Sequence, residues 1–112
     1  MSEQATRLLL GANELLLTDL VVAEIVYVLQ SFYALSRADV AHRVRALLSL
    51  GGVVTANRDI LGRALDVYGA HKLGFVDAYL VAHAEESGVG KIASFDKGID
   101  RVGTVERVEP AS

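Results

Sequence analysis

Cysteine is absent from this chain, and proline occurs once among its 112 residues, at Pro110. The absence of cysteine excludes disulfide bonds and thiolate metal sites. Long hydrophobic runs are also lacking, because the apolar stretch at residues 20–29 contains Glu24 and falls far short of the ~18 residues that a membrane span needs. The N-terminal residues show no long apolar run behind a basic head, so no secretory signal is predicted. We therefore expect a soluble, cytoplasmic protein without a membrane segment.

Positive charge is scarce as well. The chain has 11 Lys and Arg residues against 14 Asp and Glu residues, which gives a formal net charge of -3. A broad basic surface for gripping nucleic acid is thus excluded, and any such role must come from a local site. Hydrophobic residues make up 52% of the chain, which is enough to bury a core. No repeat, low-complexity tract or linker interrupts the chain, so residues 1–112 are expected to form a single domain.

Short apolar stretches alternate with amphipathic ones along the chain. The predicted strands are residues 15–17, 53–55, 91–95 and 104–108. The predicted helices are residues 3–10, 18–32, 58–70 and 75–86, together with one that begins after Ser36. This alternation indicates an α/β fold with a mostly parallel sheet flanked by helices on both faces. Ligands bind beyond the carboxyl ends of the strands in such sheets, so chemistry is expected just after Leu17, Thr55 and Phe95.

Glu24 is the most informative residue. Its neighbours three and four positions away on the predicted helix are all apolar or aromatic, so no helical ion pair offsets its charge. An unpaired carboxylate is costly to bury, and a metal, a distant partner or exposure near the helix start must compensate it.

Two further carboxylates stand at element ends. Asp77 lies near the start of a predicted helix, where it could cap the helix or serve a site. Asp96 directly follows the predicted strand at 91–95, where it could be a turn residue before Gly98 or a site residue.

The three acids can converge on one edge of a parallel sheet. Clustered carboxylates repel each other unless a cation joins them, so at least one is expected to have a raised pKa in the absence of metal. Hard oxygen ligands without cysteine point to Mg²⁺ or Mn²⁺. Such a cation can activate water and stabilise an in-line phosphoryl displacement.

Three segments together resemble the PIN domain family, and in particular its VapC-type toxin ribonucleases. They are TDLVVAEIVYVL at residues 18–29, GFVDAYLVAHA at residues 74–84, and SFDK at residues 94–97. The segments occur in the family's order and spacing. The resemblance implies that Glu24, Asp77 and Asp96 are catalytic residues that hold Mg²⁺ or Mn²⁺, and that Thr18 caps the helix bearing Glu24. It also implies RNA as substrate, a small cognate antitoxin as partner, and a homodimer.

The chain departs from the family at its beginning. The family opens with a central strand that reads apolar-apolar-Asp-Thr-Asn and supplies the first metal ligand, whereas no Asp precedes Asp19 here. We therefore expect a three-layer PIN-like fold that lacks the first central strand, and impaired catalysis. A misassigned start or truncated chain, a strand supplied by another chain, and an inactive relic are all compatible with the sequence.

Two other functions stay open. The first is a non-catalytic PIN-like interaction protein that dimerises or binds an antitoxin. The second is another α/β domain with an acidic pocket, such as a phosphatase or receiver-like module. The second would need an Asp at the end of its first strand, and none is visible.

Overall fold

Side-chain caps begin three of the four helices in the part of the chain that the computed structural model describes, residues 14–110. The caps are Thr18, Ser36 and Asn57, whose side-chain oxygens each accept a backbone N–H three residues later. The helices are α1 (Asp19–Ser31), α2 (Arg37–Leu48), α3 (Arg58–Ala70) and α4 (Phe75–Ser87). The predicted helix at residues 3–10 lies outside the described residues. The four helices that can be compared confirm the sequence prediction.

Helix α4 has different ends from the other three. It follows Gly74 without a side-chain cap, and it stops at Gly88 in the left-handed conformation, with φ of 77°. Glycine adopts that conformation without the steric penalty that a Cβ would bring. The C-terminal end of α4, the helix that bears Asp77, is therefore set by Gly88, whereas its start depends on contacts with other parts of the fold.

The strands are short and form parallel pairs. They are β1 (Leu15–Leu16), β2 (Val53–Val54), β3 (Lys91–Ala93) and β4 (Glu106–Val108), with a 3-10 helix at Lys97–Arg101 between the last two. β1 pairs with β2, with Leu15 opposite Val53, and β3 pairs with β4, with Lys91 opposite Glu106. Parallel pairing and the α/β class are confirmed. Within residues 14–110, however, the pairs are two separate sheets rather than one.

Among residues 14–110, β1 pairs with β2 on one side, and its other edge has no partner strand. The N–H groups of Leu15 and Leu17 donate to the carbonyls of Gly52 and Val54. Because successive peptide groups in a strand point to opposite sides, the peptide groups of Leu16 are directed away from β2. The side chain of Leu16 is 64% exposed, so both the backbone edge and an apolar side chain of β1 are open.

Strand β3 ends two residues earlier than predicted and β4 begins two residues later, and a side-chain hydroxyl forms a hydrogen bond at each of these positions. After β3, the Ser94 hydroxyl accepts the N–H of Asp96 at 3.0 Å. Before β4, the Thr104 hydroxyl donates to the carboxylate of Glu85 on α4. The pattern of apolar residues in the sequence does not predict either of these hydrogen bonds.

Helix α3 forms the centre of the core. Its buried side chains include Leu61, Leu65 and Tyr68. The Tyr68 hydroxyl donates to Gln30 on α1 at 2.6 Å, and its ring meets that of Phe75 on α4 with centroids 6.2 Å apart. One aromatic residue thus joins three helices, with its polar end satisfied.

Arg37 fixes the turn between α3 and α4. Its guanidinium lies 4.7 Å from the centre of the Tyr68 ring and donates to the carbonyls of Tyr68 and Leu73. The turn carbonyls are thereby satisfied by a charged donor, and the start of α4 is positioned. None of the helices in residues 14–110 is long and apolar enough to cross a membrane.

Candidate active site

Asp77 is the third residue of α4 and lies in its first turn. It does not cap the helix, because Gly74 occupies the cap position and no side chain caps the helix there. The capping alternative for Asp77 is therefore wrong. Its side chain is partly buried and free to face other elements.

Asp96 precedes the 3-10 helix and shapes the loop after β3. Its Oδ1 accepts the N–H of Gly98 at 2.8 Å. A Cβ at Gly98 would lie 2.9 Å from the Leu73 side chain and 3.0 Å from that Oδ1, so only glycine fits without rearrangement. The turn role of Asp96 is confirmed, but it does not exclude a site role, because the carboxylate also meets Asp77.

The carboxyl groups of Asp77 and Asp96 lie close enough for a hydrogen bond between them when one is protonated. Burial, the hydrogen bond to Asp96 and the charge of Asp96 raise the pKa of Asp77 to about 6, from 3.8. The pKa of Asp96 is lowered by the hydrogen bond from Asp77, by the Gly98 N–H, and by the positive charges of Arg101 and Arg107. At least one of the two pKa values is therefore raised, as expected, but burial contributes more to it than the charge of Asp96 does. Without a cation, the two acids can share a proton below a pH of about 6, and above it both are ionised and repel each other.

Glu24 does not join this pair. It is the sixth residue of α1, its side chain is exposed, and no partner for it is found within residues 14–110. In the same part of the chain, no group of three or more His, Asp or Glu side chains is arranged to hold a metal ion. The structure therefore brings together two of the three acids, and the metal-ligand role of all three stays a prediction.

Arg107 and Arg101 hold the loop that carries Asp96. Arg107 on β4 donates to both carboxylate oxygens of Asp100, at 3.0 and 3.2 Å, and to the Ser94 carbonyl at 3.1 Å. Arg101 donates to the carbonyl of Lys72 at 2.9 Å. Sequence reasoning missed both arginines, because their partners across the fold leave no local signal.

Sequence reasoning also missed one acid, Asp19. It is the first residue of α1, and its Oδ2 accepts the hydroxyl of Tyr79 on α4 at 2.5 Å. That hydrogen bond, burial and the charge of Asp19 raise the pKa of Tyr79 to about 12. The other oxygen, Oδ1, is buried without a hydrogen-bond partner in residues 14–110, as is the hydroxyl of Thr55.

Comparison with known families identifies the architecture around these acids. The family model described as PIN domain matches residues 1–105. The chain belongs to the PIN domain family. No curated protein and no solved structure matches it significantly.

The family match covers all three segments that carried the resemblance, so their identification as PIN segments is confirmed at the level of the family. PIN domains are nuclease domains that act on nucleic acids, typically with divalent metals. In this PIN domain, the two acids that the fold brings together lie in the first turn of α4 and in the loop between β3 and the 3-10 helix. The proximity of these two acids agrees with the expectation that they lie on the same edge, and their role in a site stays a prediction.

Proposed function

We propose that this PIN domain is a metal-dependent endoribonuclease, and that it acts as the toxin of a VapC-type toxin–antitoxin pair. The observation that carries the proposal is the pair formed by Asp77 and Asp96, two carboxyl groups close enough to share a proton. Two carboxylates this close repel each other, so binding of either a proton or a cation between them is favoured.

The donor set fits Mg²⁺ or Mn²⁺. Both ions prefer hard oxygen ligands, and carboxylates are common among them. Asp77 and Asp96 would hold the ion, and Glu24 would complete the site from α1. A bound cation of this kind supplies an activated water and charge stabilisation for phosphodiester hydrolysis.

The protein's own residues prepare the pair for that task. The Gly98 N–H fixes one oxygen of Asp96 at 2.8 Å, while Arg107 and Arg101 hold the surrounding loop. Asp77 is fixed in direction by the first turn of α4. Rigid carboxylates lose little freedom on ligand binding, which favours both affinity and correct orientation of the attacking water.

The biological setting is part of the proposal. By resemblance, the substrate is RNA, single-stranded or structured, the protein is a cytoplasmic homodimer, and a small cognate antitoxin blocks the site. The net charge of -3 argues that RNA is held locally at the acids and their neighbouring arginines rather than by a broad basic face.

A non-catalytic PIN-like interaction protein is the second candidate. The observation that favours it is the absence, in residues 14–110, of a third acid beside the pair. Fewer ligands weaken the grip on a cation and the orientation of its water. Such a protein would still dimerise or bind an antitoxin.

Cleavage of single-stranded RNA separates the two candidates. The unmodified chain should cleave RNA with Mn²⁺ or Mg²⁺ and lose activity in EDTA. Asp96→Asn should reduce the rate by roughly 100-fold or more, because a charged ligand is lost. Asp59→Asn is the control, since Asp59 is exposed in the first turn of α3 and should leave the rate unchanged. Equal rates for the unmodified chain and Asp96→Asn would disprove the nuclease assignment of this site. A chain that never cleaves RNA but binds a partner supports the second candidate.

A further inference from the structure

The contact between Asp19 and Tyr79 joins the two helices that carry the proposed ligands. Asp19 begins α1, which bears Glu24, and Tyr79 lies two residues after Asp77 on α4. The Tyr79 hydroxyl donates to Asp19 Oδ2 at 2.5 Å across 60 residues of sequence. Within residues 14–110, it is the one side-chain hydrogen bond between α1 and α4.

The contact is close to the acids on both helices. A helix rises ~1.5 Å per residue, so Tyr79 lies within one turn of Asp77, and Asp19 lies within two turns of Glu24. Over such short lengths a helix is stiff. A fixed distance between Asp19 and Tyr79 therefore limits how far Glu24 can move relative to Asp77.

Asp19 is not needed to cap its own helix. Thr18 performs that role by accepting the N–H of Val21. Asp19 is partly buried, and its Oδ1 has no hydrogen-bond partner in the described part of the chain. An acid that is desolvated with one oxygen unsatisfied is unfavourable for folding by itself, although the helix dipole offsets part of this cost. Residues that break local rules of this kind tend to occur at functional sites.

We propose that Asp19 and Tyr79 are positioning residues, whose hydrogen bond sets the separation of α1 and α4 and thereby the affinity of the acid site for a divalent cation. The inference rests on the proposed function, since it assumes that Asp77 and Asp96 bind the cation. Asp19 acts through Tyr79 and the helix backbone, not as a ligand.

Tyr79→Phe removes the hydroxyl and keeps the ring, which meets His83 edge-on at 6.0 Å. The Kd for Mn²⁺, measured by calorimetry, should rise roughly 10-fold, as for other residues that orient metal ligands. RNA cleavage should need correspondingly more Mn²⁺, with most of the maximal rate recovered at saturation. Tyr27→Phe on α1 is the matched control, because Tyr27 is 64% exposed, and it should leave the Kd unchanged.

Changes at Asp19 distinguish positioning from direct ligation. Asp19→Asn keeps an oxygen that can accept the Tyr79 hydroxyl, so the Kd for Mn²⁺ should stay within about twofold of that of the unmodified chain. Asp19→Ala should reproduce the effect of Tyr79→Phe, and the double variant should be no worse than either single one, because both remove the same contact. A large loss of affinity in Asp19→Asn would overturn positioning in favour of ligation.

Failure of this inference can be told from failure of the proposed function. If Asp96→Asn weakens Mn²⁺ binding while Tyr79→Phe does not, the positioning role is refuted and the acid site stands. If Asp96→Asn leaves Mn²⁺ binding intact, or if the unmodified chain binds no Mn²⁺, both are refuted. A loss of affinity in Tyr79→Phe that follows unfolding, seen by circular dichroism at the same temperature, also refutes the positioning role.

Discussion

Asp77→Asn should stabilise the folded protein at neutral pH in the absence of metal. The pKa of Asp77 is raised from 3.8 to about 6 in the folded state. A raised folded pKa means that the contribution of Asp77 to stability is fully present below pH 3.8 and is lost as pH rises through 6. Two pKa units correspond to about 3 kcal/mol. Because Asp77 is only partly buried, solvent screening reduces the realistic loss to about 1 kcal/mol.

Asparagine avoids that loss because it is neutral, has nearly the same shape and can donate a hydrogen bond to Asp96. Asp77→Asn should thus raise the free energy of unfolding by about 1 kcal/mol at pH 7.5, which is roughly 4 °C in Tm for a domain of this size. The gain should shrink towards zero near pH 4, where Asp77 itself is protonated.

Urea denaturation followed by circular dichroism, in EDTA at pH 7.5 and pH 4, measures the effect. Asp59→Asn is the control for the lost interaction with a helix dipole, since Asp59 also lies in a first turn. Mn²⁺ should stabilise the unmodified chain and fail to stabilise Asp77→Asn. The reasoning is refuted if Asp77→Asn lowers the free energy of unfolding at pH 7.5 as much as Asp59→Asn does. In that case Asp77 and Asp96 do not repel each other.

Three other outcomes are expected. Glu24→Gln should weaken Mn²⁺ binding and RNA cleavage but change Tm by less than about 2 °C, since surface changes alter stability by ~0.5 kcal/mol or less; unchanged Mn²⁺ affinity would remove Glu24 from the site. Arg37→Ala should lower the free energy of unfolding in urea by about 2–3 kcal/mol, because two carbonyls lose a charged donor, whereas the exposed Arg43→Ala should change little; equal effects would contradict the role given to Arg37. A version extended by the family's apolar-Asp-Thr-Asn strand and its helix should cleave RNA faster with Mn²⁺ and self-associate less by light scattering, and Asp→Ala in the added strand should cancel the gain in rate.

The helices could be predicted because their signals are local. Ser36 is followed by apolar residues at helical spacing, and the structure begins α2 (Arg37–Leu48) directly after it. Helix α3 (Arg58–Ala70) has the predicted bounds because its buried side lies on one face of the sequence pattern. Capping and periodicity operate within a few residues, so they survive in a single sequence.

The strands and their grouping were harder to predict. An apolar run of two or three residues shows that a strand is present but not which strand it pairs with. The separation of β1–β2 from β3–β4 depends on contacts between distant segments. The end of β3 and the start of β4 lie beside the hydroxyls of Ser94 and Thr104. The hydrogen-bond partners of these hydroxyls could not be inferred from the apolar pattern.

The candidate site divides in the same way. The proximity of Asp77 and Asp96 could be predicted because a helix start and a strand end can meet at one edge of a parallel sheet. The exposure of Glu24 was one of several alternatives that the sequence left open. The hydrogen bond between Asp19 and Tyr79 left no pattern in the sequence, since its two partners are 60 residues apart and lie on different helices.

The two halves of the proposed site belong to different sheets. Helix α1, with Glu24, follows β1, whereas α4, with Asp77, precedes β3, and Asp96 follows β3. No strand ladder joins the two sheets within residues 14–110, so the distance between Glu24 and the acid pair depends on helix packing. Substitution of Asp77 or Asp96 acts within one half, while loss of the bond between Asp19 and Tyr79 changes how the halves meet. Whether Glu24 can complete the metal site therefore depends on how α1 packs against α4. A strand paired with both sheets would fix the distance between Glu24 and the acid pair more firmly than side-chain contacts alone.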